Sequence, residues 1–531
     1  MLQPITPFEG MDIRSLLDSV ALSRSEHPFL VWEPFTAEGG RQWTYGEFAD
    51  RVRRFAAGIV ARGVKAGDRV LIHLDNCPEG LIAWLGCAYA GVVPVTTNAR
   101  STEDELAYFA HHSDAVAAVT QPGFADIVRA ATPKVRWRLV TETDNGEPAS
   151  APGLGFHPFD TIDASPESLP ERPHDPWAPF GIQYTSGTTA RPKAVLWTHA
   201  NALWGAMACA RHEDLRAEDV HLTFLPLFHT NAQVYSVLAS LWVGATVVLM
   251  PRFSASRFWP VSIKHGATWT SLVPFCLKAL MSEPLPEQHS YRLWGNAVCD
   301  PPTDRHFRVR TIGWWGMTET VAHGIVGLVN RANTSMSLGR PAPGYEIHVL
   351  DDEEKPVRPG EVGNLYVRGQ RGVTLFLEYA GDPEATQAAF RPDGLFITGD
   401  RVRLGEDGFL YFADRSKDML KVGGENVAAS EIEQVIAAVP GVAEVAVVAM
   451  PDPMLDEVPV AFVLPNAEAA ADLAERVADA CAAKLARFKR PKLVRIVENL
   501  PRSTLEKVAK SELRAALIAE RDTARPAPAG A

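Results

Sequence analysis

The stretch that decides the fold is YTSGTTARPK, residues 184–193. It is rich in hydroxyl-bearing and small residues and ends in Lys193. Such a loop lets backbone N–H and side-chain O–H groups converge on phosphate oxygens, while a lysine adds positive charge. Its spacing differs from the nucleotide P-loop G-x-x-x-x-G-K-[ST], which excludes that kinase and ATPase motif. By pattern alone, a phosphate-binding loop and a polar surface loop remain the two interpretations.

The sequence before this loop alternates between helix-like and strand-like segments. The TYGE sequence from Thr44 to Glu47 is a capping-box pattern, and apolar residues then recur at helical spacing until Gly63. Short apolar strands are predicted at 70–72, 92–95, 115–119 and 245–250. Repeated helix–turn–strand units predict an α/β fold, with an open, largely parallel sheet covered by helices.

The last third of the chain has a different texture. Short strand-like segments separated by Gly, Pro and Asp turns predict a small β subdomain over 344–412. A second capping-box pattern, SEIE at 430–433, predicts a helix that closes near Gly441 within a small α+β domain. We therefore expect a large N-terminal domain over 1–414, a small α+β C-terminal domain over 415–517 and a disordered tail over 518–531.

Composition and charge restrict the class of protein. The 531 residues carry a formal net charge of −12, which argues against nucleic acid as a partner. The N-terminus has no signal pattern, and the apolar stretches 81–93 and 234–250 are too short or interrupted to span a membrane. The six cysteines are scattered without C-x-x-C spacing, so neither a metal nor a disulfide framework is expected. A cytoplasmic enzyme fits these features.

Three further segments carry residues suited to chemistry. In WGMTET, residues 315–320, an aromatic ring offers a stacking face and Thr and Glu suit phosphate and Mg²⁺; a helix start capped by Thr318 is the alternative. In TGDR, residues 398–401, a carboxylate suits two ribose hydroxyls, and a simple turn is the alternative. KVAKSELR, residues 507–514, is basic and helix-like, which alone favours a solvated helix face.

In order and spacing, the four segments together resemble the acyl-adenylating, AMP-binding superfamily. It includes acyl-CoA synthetases, peptide-synthetase adenylation domains and firefly-type luciferases. The resemblance runs from about Thr44 to Arg514, with His199 following the first motif. Segment 231–259 looks most like the carnitine- and crotonobetaine-CoA ligase branch. The resemblance implies an ATP-dependent acid–CoA ligase that forms acyl-AMP and pyrophosphate and then acyl-CoA and AMP.

The resemblance also implies residue roles. The phosphate loop would contain Thr185, Ser186, Gly187, Thr188, Thr189 and Lys193. Trp315 and Gly316 would flank adenine, and Asp400 and Arg415 would bind ribose. The catalytic residues would be Thr318, Glu319 as the Mg²⁺ ligand, His229, and Lys507 between the carboxylate and the α-phosphate. The acyl pocket would comprise Trp204, Asn231, Tyr235, Gly295, Asn296 and His323. The C-terminal domain would be mobile about an interdomain hinge at Lys417, and the CoA channel would comprise Lys421, Gly423, Gly424 and Glu425.

The implied partners are a carboxylic acid, ATP with Mg²⁺, and CoA, with a homodimer as a further expectation. Amino-acid activators of the family carry an Asp after the pocket aromatic; here His229 follows Phe228, which disfavours α-amino acids. Trp204, Tyr235, Trp314 and Trp315 are candidates for an aromatic cage around a quaternary ammonium, with ordinary core packing as the alternative.

Three departures keep other functions open. Ala190 and Ala194 stand where glycine is usual, which predicts a stiffer loop, and Glu506 stands where glycine usually precedes the lysine. The alternatives are an adenylating enzyme that loads a carrier-protein phosphopantetheine and a non-catalytic nucleotide-binding relative.

Overall fold

The computed structural model describes residues 5–36, 40–149, 153, 155–185, 192–415, 419–467, 469–501 and 508–523. The chain divides into two compact units. The larger comprises Met1–Ala99, Glu103–Tyr184 and Ala194–Asp414, and the smaller comprises Arg100–Thr102, Thr185–Lys193 and Arg415–Ala531.

Two large sheets form the centre of the larger unit, and both are mainly parallel, as the sequence predicts. Among the described residues, the first has the order β18-β17-β16-β15-β14-β12-β13-β1-β2. Its strands are β1 Pro28–Trp32, β2 Arg41–Thr44, β12 Val220–Thr223, β13 Thr246–Leu249, β14 Trp269–Ser271, β15 Leu293–Asn296, β16 Arg310–Trp315, β17 Ile325–Val326 and β18 Arg340–Pro341. Neighbouring strands from β1 through β13, β12, β14 and β15 to β16 are parallel.

The second sheet has the order β21-β11-β10-β4-β3-β5-β6-β9. Its strands are β3 Arg69–His73, β4 Val93–Thr96, β5 Ala115–Thr120, β6 Trp137–Val140, β9 His157–Pro158, β10 Pro179–Thr185, β11 Lys193–Thr198 and β21 Glu378–Tyr379. A separate hairpin pairs β7 Thr143–Asp144 with β8 Glu147–Pro148. The edge strand β21 is antiparallel to β11, which brings a late segment of the chain next to the strand that follows the phosphate loop.

The predicted β subdomain is a four-stranded sheet in the described chain, with the order β19-β20-β22-β23. Its strands are β19 Glu346–Leu350, β20 Val362–Arg368, β22 Phe396–Leu404 and β23 Leu410–Arg415. The pairs β19·β20 and β20·β22 are antiparallel, and the small segments between strands contain the Gly and Asp turns that the sequence shows.

Helices cover these sheets. They are α1 Ile13–Ser23, α2 Tyr45–Ala61, α3 Pro78–Tyr89, α4 Glu103–His112, α5 Ala125–Ala131, α6 His199–His212, α7 Ala239–Val243, α8 Ala255–His265, α9 Pro274–Leu280, α10 Thr303–Phe307 and α11 Pro383–Ala388. The capping box predicted for α2 is present: Thr44 accepts from the backbone of Glu47, whose side chain accepts in return. The apolar stretch from 234 is a π-helical segment, Asn231–Leu238, that continues through α7 into strand β13.

The smaller unit has its own α+β core. Its elements are β24 Met419–Val422, β25 Glu425–Ala428, α12 Ala429–Ala437, β26 Val442–Asp452, β27 Asp456–Pro465, α13 Leu473–Lys484, β28 Leu493–Ile496 and α14 Lys510–Thr523. Two expectations about this region are wrong. The N-cap of α12 is Ala428, which has no side-chain acceptor, so the SEIE pattern does not form a capping box. Helix α14 reaches Thr523, so residues 518–523, placed in the disordered tail, are helical.

The SEIE acidic side chains are engaged in ion pairs instead. Glu431 Oε1 accepts from Lys489 Nζ at 2.7 Å, and Glu433 pairs with Lys510 at 2.7 Å.

Across the residues that the structure describes, no helix is both long and apolar enough to cross a bilayer. All six cysteines are free and buried.

Candidate active site

The phosphate loop is bracketed by two neighbouring strands. Strand β10 ends at Thr185 and β11 begins at Lys193, while Ser186, Gly187, Thr188 and Thr189 lie outside the described residues. Ala194 is a buried residue of β11, and its carbonyl accepts from the Ala380 N–H at 2.8 Å. Its backbone does not have a positive φ, so alanine causes no strain there. Ala190 also lies outside the described residues.

Glu319 is the second feature of the site. It lies in a 3₁₀ turn, Thr318–Thr320, directly after β16, and is 4% exposed. The Tyr379 hydroxyl donates to Glu319 Oε1 at 2.9 Å, and the Phe376 N–H donates to the Glu319 carbonyl at 2.8 Å. Burial and the Glu319 charge raise the pKa of Tyr379, so Tyr379 remains a neutral donor. The N-cap of the turn is Met317, so the interpretation of Thr318 as a helix cap is wrong.

Thr318 lies at the partly buried end of a hydrogen-bond network. The Thr230 hydroxyl donates to Gln183 Oε1 at 2.9 Å and lies 3.3 Å from Thr318 Oγ1. The Gln183 amide in turn donates to Gln233. Because Thr230 follows His229, this network ties the predicted pocket turn to the Thr318 segment. Sequence reasoning missed Gln183, Thr230 and Gln233, although an amide inside the apolar strand β10 was a detectable signal.

Trp315 and Asp400 join the second and third sequence motifs. The Trp315 indole Nε1 donates to Asp400 Oδ2 at 2.8 Å, and both side chains are 7% exposed. The Asp400 N–H is bonded to Thr398 Oγ1 at 3.0 Å, following Gly399 with φ +76°. The two residues expected to contact adenine and ribose therefore lie in direct contact within the larger unit.

A wall of aromatic side chains lies behind Gly316. A Cβ at Gly316 would lie 2.4 Å from the Tyr235 hydroxyl, and a Cβ at Gly295 would lie 1.6 Å from the Trp314 ring. The His323 ring is 4.0 Å from Tyr235 and stacks on Trp314 at 4.5 Å. Three of the predicted acyl-pocket residues, Tyr235, Gly295 and His323, thus lie close to Trp314 and Gly316, and both glycines are needed for these close approaches.

The other predicted pocket residues are placed differently. Trp204 Nε1 donates to the Tyr345 hydroxyl at 3.1 Å, and its ring lies over Gly344. Asn296 Oδ1 accepts from the Ala297 N–H at 2.7 Å, whereas buried Asn231 Oδ1 has no hydrogen-bond partner among the described residues. The contact of Trp204 within the described residues is therefore with Tyr345 and Gly344.

This packing bears on the aromatic cage. The Trp314 ring stacks on His323 and lies within 5° of parallel to Trp269 at 6.1 Å, while Trp315 is bonded to Asp400. These contacts within the protein favour ordinary core packing for Trp314 and Trp315, and the aromatic cage stays a prediction.

In the smaller unit, the predicted CoA channel is a β-hairpin. Val422 pairs with Glu425 across the two-residue turn Gly423–Gly424, whose φ angles are +58° and +90°. Two successive positive φ values favour glycine, as in type I′ turns. Lys421 donates its backbone N–H to Glu457 Oε2 at 2.9 Å. A bulky residue at Gly424 would strain this turn, so it would be a poor probe of thiol access alone.

The remaining predicted residues can be placed only in part. Arg415 ends strand β23, but its side chain is outside the described atoms. Lys417 and Lys507 lie outside the described residues altogether.

Comparison with known proteins gives consistent matches along the chain. The profile of the AMP-binding enzyme family matches residues 17–379, and that of the AMP-binding enzyme C-terminal domain matches residues 431–507. A crotonobetaine/carnitine–CoA ligase of Proteus mirabilis is 35% identical over 523 residues, 94% of this chain and 98% of its own. The ligase of the same name from Salmonella typhimurium is 33% identical, covering 95% of this chain and 99% of its own.

Solved structures show the same architecture. An o-succinylbenzoate CoA synthetase from Bacillus subtilis, bound to a product analogue, has a TM-score of 0.81 at 27% identity, with 94% of this chain and 97% of that chain covered. ATP-bound MatB from Rhodopseudomonas palustris has a TM-score of 0.67 at 27% identity, with coverage of 95% and 99%.

With these matches, the chain belongs to the AMP-binding enzyme family. Within that family it is an AMP-forming acyl-CoA synthetase, which uses ATP and CoA to convert a carboxylic acid into its thioester. The resemblance and the α/β fold predicted from the sequence are confirmed.

Proposed function

We propose that this enzyme activates a short carboxylic acid that has no α-amino group, with Mg²⁺-bound ATP as the adenylyl donor. The carboxylate oxygen attacks the α-phosphate, pyrophosphate leaves, and the CoA thiol then displaces AMP from the acyl-adenylate. A cytoplasmic location and a homodimer are part of the same proposal.

The proposal that the acid is short rests on the wall of aromatic side chains. Tyr235, Trp314 and His323 are 5%, 7% and 0% exposed; the Tyr235 hydroxyl fills the space behind Gly316, and the Trp314 ring fills the space beside Gly295. Large side chains in that position limit the length of an acyl chain, because a packed interior has little room to yield. Relatives named crotonobetaine/carnitine–CoA ligases, whose named acids are short, support the same size class.

His229 supports the proposal that the substrate acid has no α-amino group. An ammonium in a partly buried pocket needs an anionic or hydrogen-bonding partner. The family's amino-acid activators supply an Asp after the pocket aromatic, whereas here His229 follows Phe228 and packs its ring 4.6 Å from it.

The residues present also fit magnesium. Mg²⁺ is usually held by one or two carboxylates together with substrate phosphates. Glu319 is a buried carboxylate whose orientation is fixed by Tyr379, which suits such a ligand. When bound, the ion would neutralise phosphate charge.

Thr318 would contact the phosphate or carboxylate, Asp400 and Arg415 would hold ribose, Lys193 would help to hold the phosphates, and Lys507 would stabilise charge at the reacting oxygens.

A panel of acids tests this function. Pyrophosphate release would be measured with butyrate, crotonobetaine, carnitine, octanoate, palmitate and L-alanine. Mass spectrometry with CoA or a phosphopantetheinylated carrier protein would identify the acceptor. We expect the short acids to give the highest kcat/KM and CoA to be acylated. A preference for palmitate or L-alanine would contradict the proposal.

A matched pair of variants tests the wall itself. Tyr235→Ala should shift the preference towards octanoate, whereas Tyr235→Phe, which keeps the ring, should not. An unchanged chain-length preference in a folded Tyr235→Ala protein would show that the wall does not limit the acid.

A further inference from the structure

Helix α6 presents three potential metal ligands next to the aromatic wall. Cys209, His212 and Glu213 have the spacing i, i+3 and i+4, which places them on one face of a helix. Glu213 is the C-cap of α6 and keeps helical φ and ψ angles. His323 approaches this face from the segment that follows the Thr318–Thr320 turn.

These side chains are close together and buried. One ligand atom each from Cys209, Glu213 and His323 lies within 4.8 Å of the other two, and all three residues are fully buried. His323 Nε2 is 3.7 Å from Glu213 Oε1. The His212 ring centre is 5.7 Å from that of His323, which makes His212 the nearest additional imidazole.

The polar atoms of this cluster lack partners. Within the described part of the chain, both carboxylate oxygens of Glu213, both ring nitrogens of His323 and Nδ1 of His212 make no hydrogen bond. Buried polar groups are almost always hydrogen-bonded, so five unpaired atoms at one place require an explanation.

We propose that Cys209, Glu213 and His323, with His212 as the fourth ligand, bind one zinc ion. Thiolate, imidazole and carboxylate are the ligands that Zn²⁺ takes in tetrahedral protein sites. A thiolate and a carboxylate together carry the negative charge that balances a dication, so the buried site would be neutral.

The distances favour a small ion over an organic cation. Bond lengths of about 2.0–2.3 Å around a tetrahedral zinc separate its ligand atoms by roughly 3.3–3.8 Å. The 3.7 Å between His323 Nε2 and Glu213 Oε1 is slightly above the roughly 3.3–3.5 Å expected for a nitrogen and an oxygen ligand, so a small shift of either side chain would close the site. A quaternary ammonium group is larger than the 3.7 Å separation of these two atoms and would not fit between them.

The bound ion would have a positioning role. His323 lies four residues after Glu319 and stacks on Trp314, so a zinc ion would fix this segment to α6. The inference does not depend on which acid the enzyme activates, because zinc binding is measured without substrate.

The test uses the full chain without a histidine tag, purified from zinc-supplemented medium. Elemental analysis should find about one zinc per chain. Replacement by Co²⁺ should give the visible bands of a tetrahedral site together with a thiolate-to-cobalt charge-transfer band in the near ultraviolet. Less than about a tenth of an equivalent of zinc in a folded wild-type protein, or a cobalt spectrum without the thiolate band, would overturn the site.

Variants assign the ligands. Cys209→Ser should abolish the charge-transfer band, and Glu213→Gln should weaken zinc binding by about 10-fold or more. The control Cys276→Ser removes another buried thiol and should leave the spectrum unchanged. A band that survives in Cys209→Ser contradicts the assignment. If the wild type binds no zinc and Glu213→Gln instead raises the KM for carnitine but not for butyrate, the carboxylate recognises a substrate cation and the zinc proposal is wrong.

Discussion

The variant Tyr379→Phe tests whether the hydrogen bond from Tyr379 holds Glu319, the proposed magnesium ligand, in place. The substitution removes only the hydroxyl that donates to Glu319 Oε1 at 2.9 Å and keeps the ring within the core. A hydrogen bond to a charged group contributes about 1.5–3 kcal/mol. At about 1.36 kcal/mol per decade, its loss corresponds to roughly 10- to 150-fold. We therefore expect the Mg²⁺ concentration for half-maximal pyrophosphate release to rise by about that factor, at saturating ATP and acid.

The matched control is Tyr45→Phe. The Tyr45 hydroxyl is also buried, but it donates to the Ala245 carbonyl at 2.6 Å. Both variants should lose stability by about 1–3 kcal/mol, because each leaves a buried acceptor unpaired. Only Tyr379→Phe should change the magnesium dependence. Equal magnesium curves for the wild type and a folded Tyr379→Phe protein would refute the assignment of Glu319 as the ligand.

Two further predictions concern ribose and the closing lysine. Asp400→Ala should raise the KM for ATP by about 10- to 100-fold and abolish discrimination against 2′-deoxy-ATP. The control Trp315→Phe should keep that discrimination. If Asp400→Ala still prefers ATP to 2′-deoxy-ATP, Asp400 does not bind the ribose. Lys507→Ala should slow acyl-adenylate formation by about 10²- to 10³-fold while sparing thioester formation from supplied acyl-adenylate, measured by quenched flow. Lys510→Ala should affect mainly stability, and full adenylation by Lys507→Ala with loss in Lys510→Ala would show that the closing motif is misaligned.

The fold was largely predictable because its signals are local and strong. The Thr44 capping box and the apolar spacing that follows define α2 without any tertiary information. The SEIE pattern at 430–433 is equally good by sequence, yet tertiary ion pairs of Glu431 and Glu433 take its carboxylates away. A capping box and an ion pair of this kind each contribute a similar free energy to stability. The charged residues that surround the carboxylates therefore decide which of the two interactions forms.

Within the site, the sequence motifs were predictable, but the hydrogen bonds that hold their side chains in place were not. Trp315 and Asp400 come from recognisable segments, but their mutual hydrogen bond spans 85 positions and has no sequence signature. Tyr379 is an ordinary tyrosine in sequence, and it reaches Glu319 only because β21 pairs with β11. Such contacts depend on sheet order, which residue periodicity does not encode.

Polar residues inside apolar elements connect these observations. Gln183 and Gln233 lie in a buried strand and a buried π-helical segment, and they bind each other. Glu213 and His323 are buried as deeply, but their polar atoms have no hydrogen-bond partner within the described ranges. Burial of a polar group is costly unless a partner compensates it. Because the 3.7 Å between Glu213 Oε1 and His323 Nε2 is too long for a hydrogen bond, we expect a partner from outside the polypeptide, and the ligand spacing favours a metal ion.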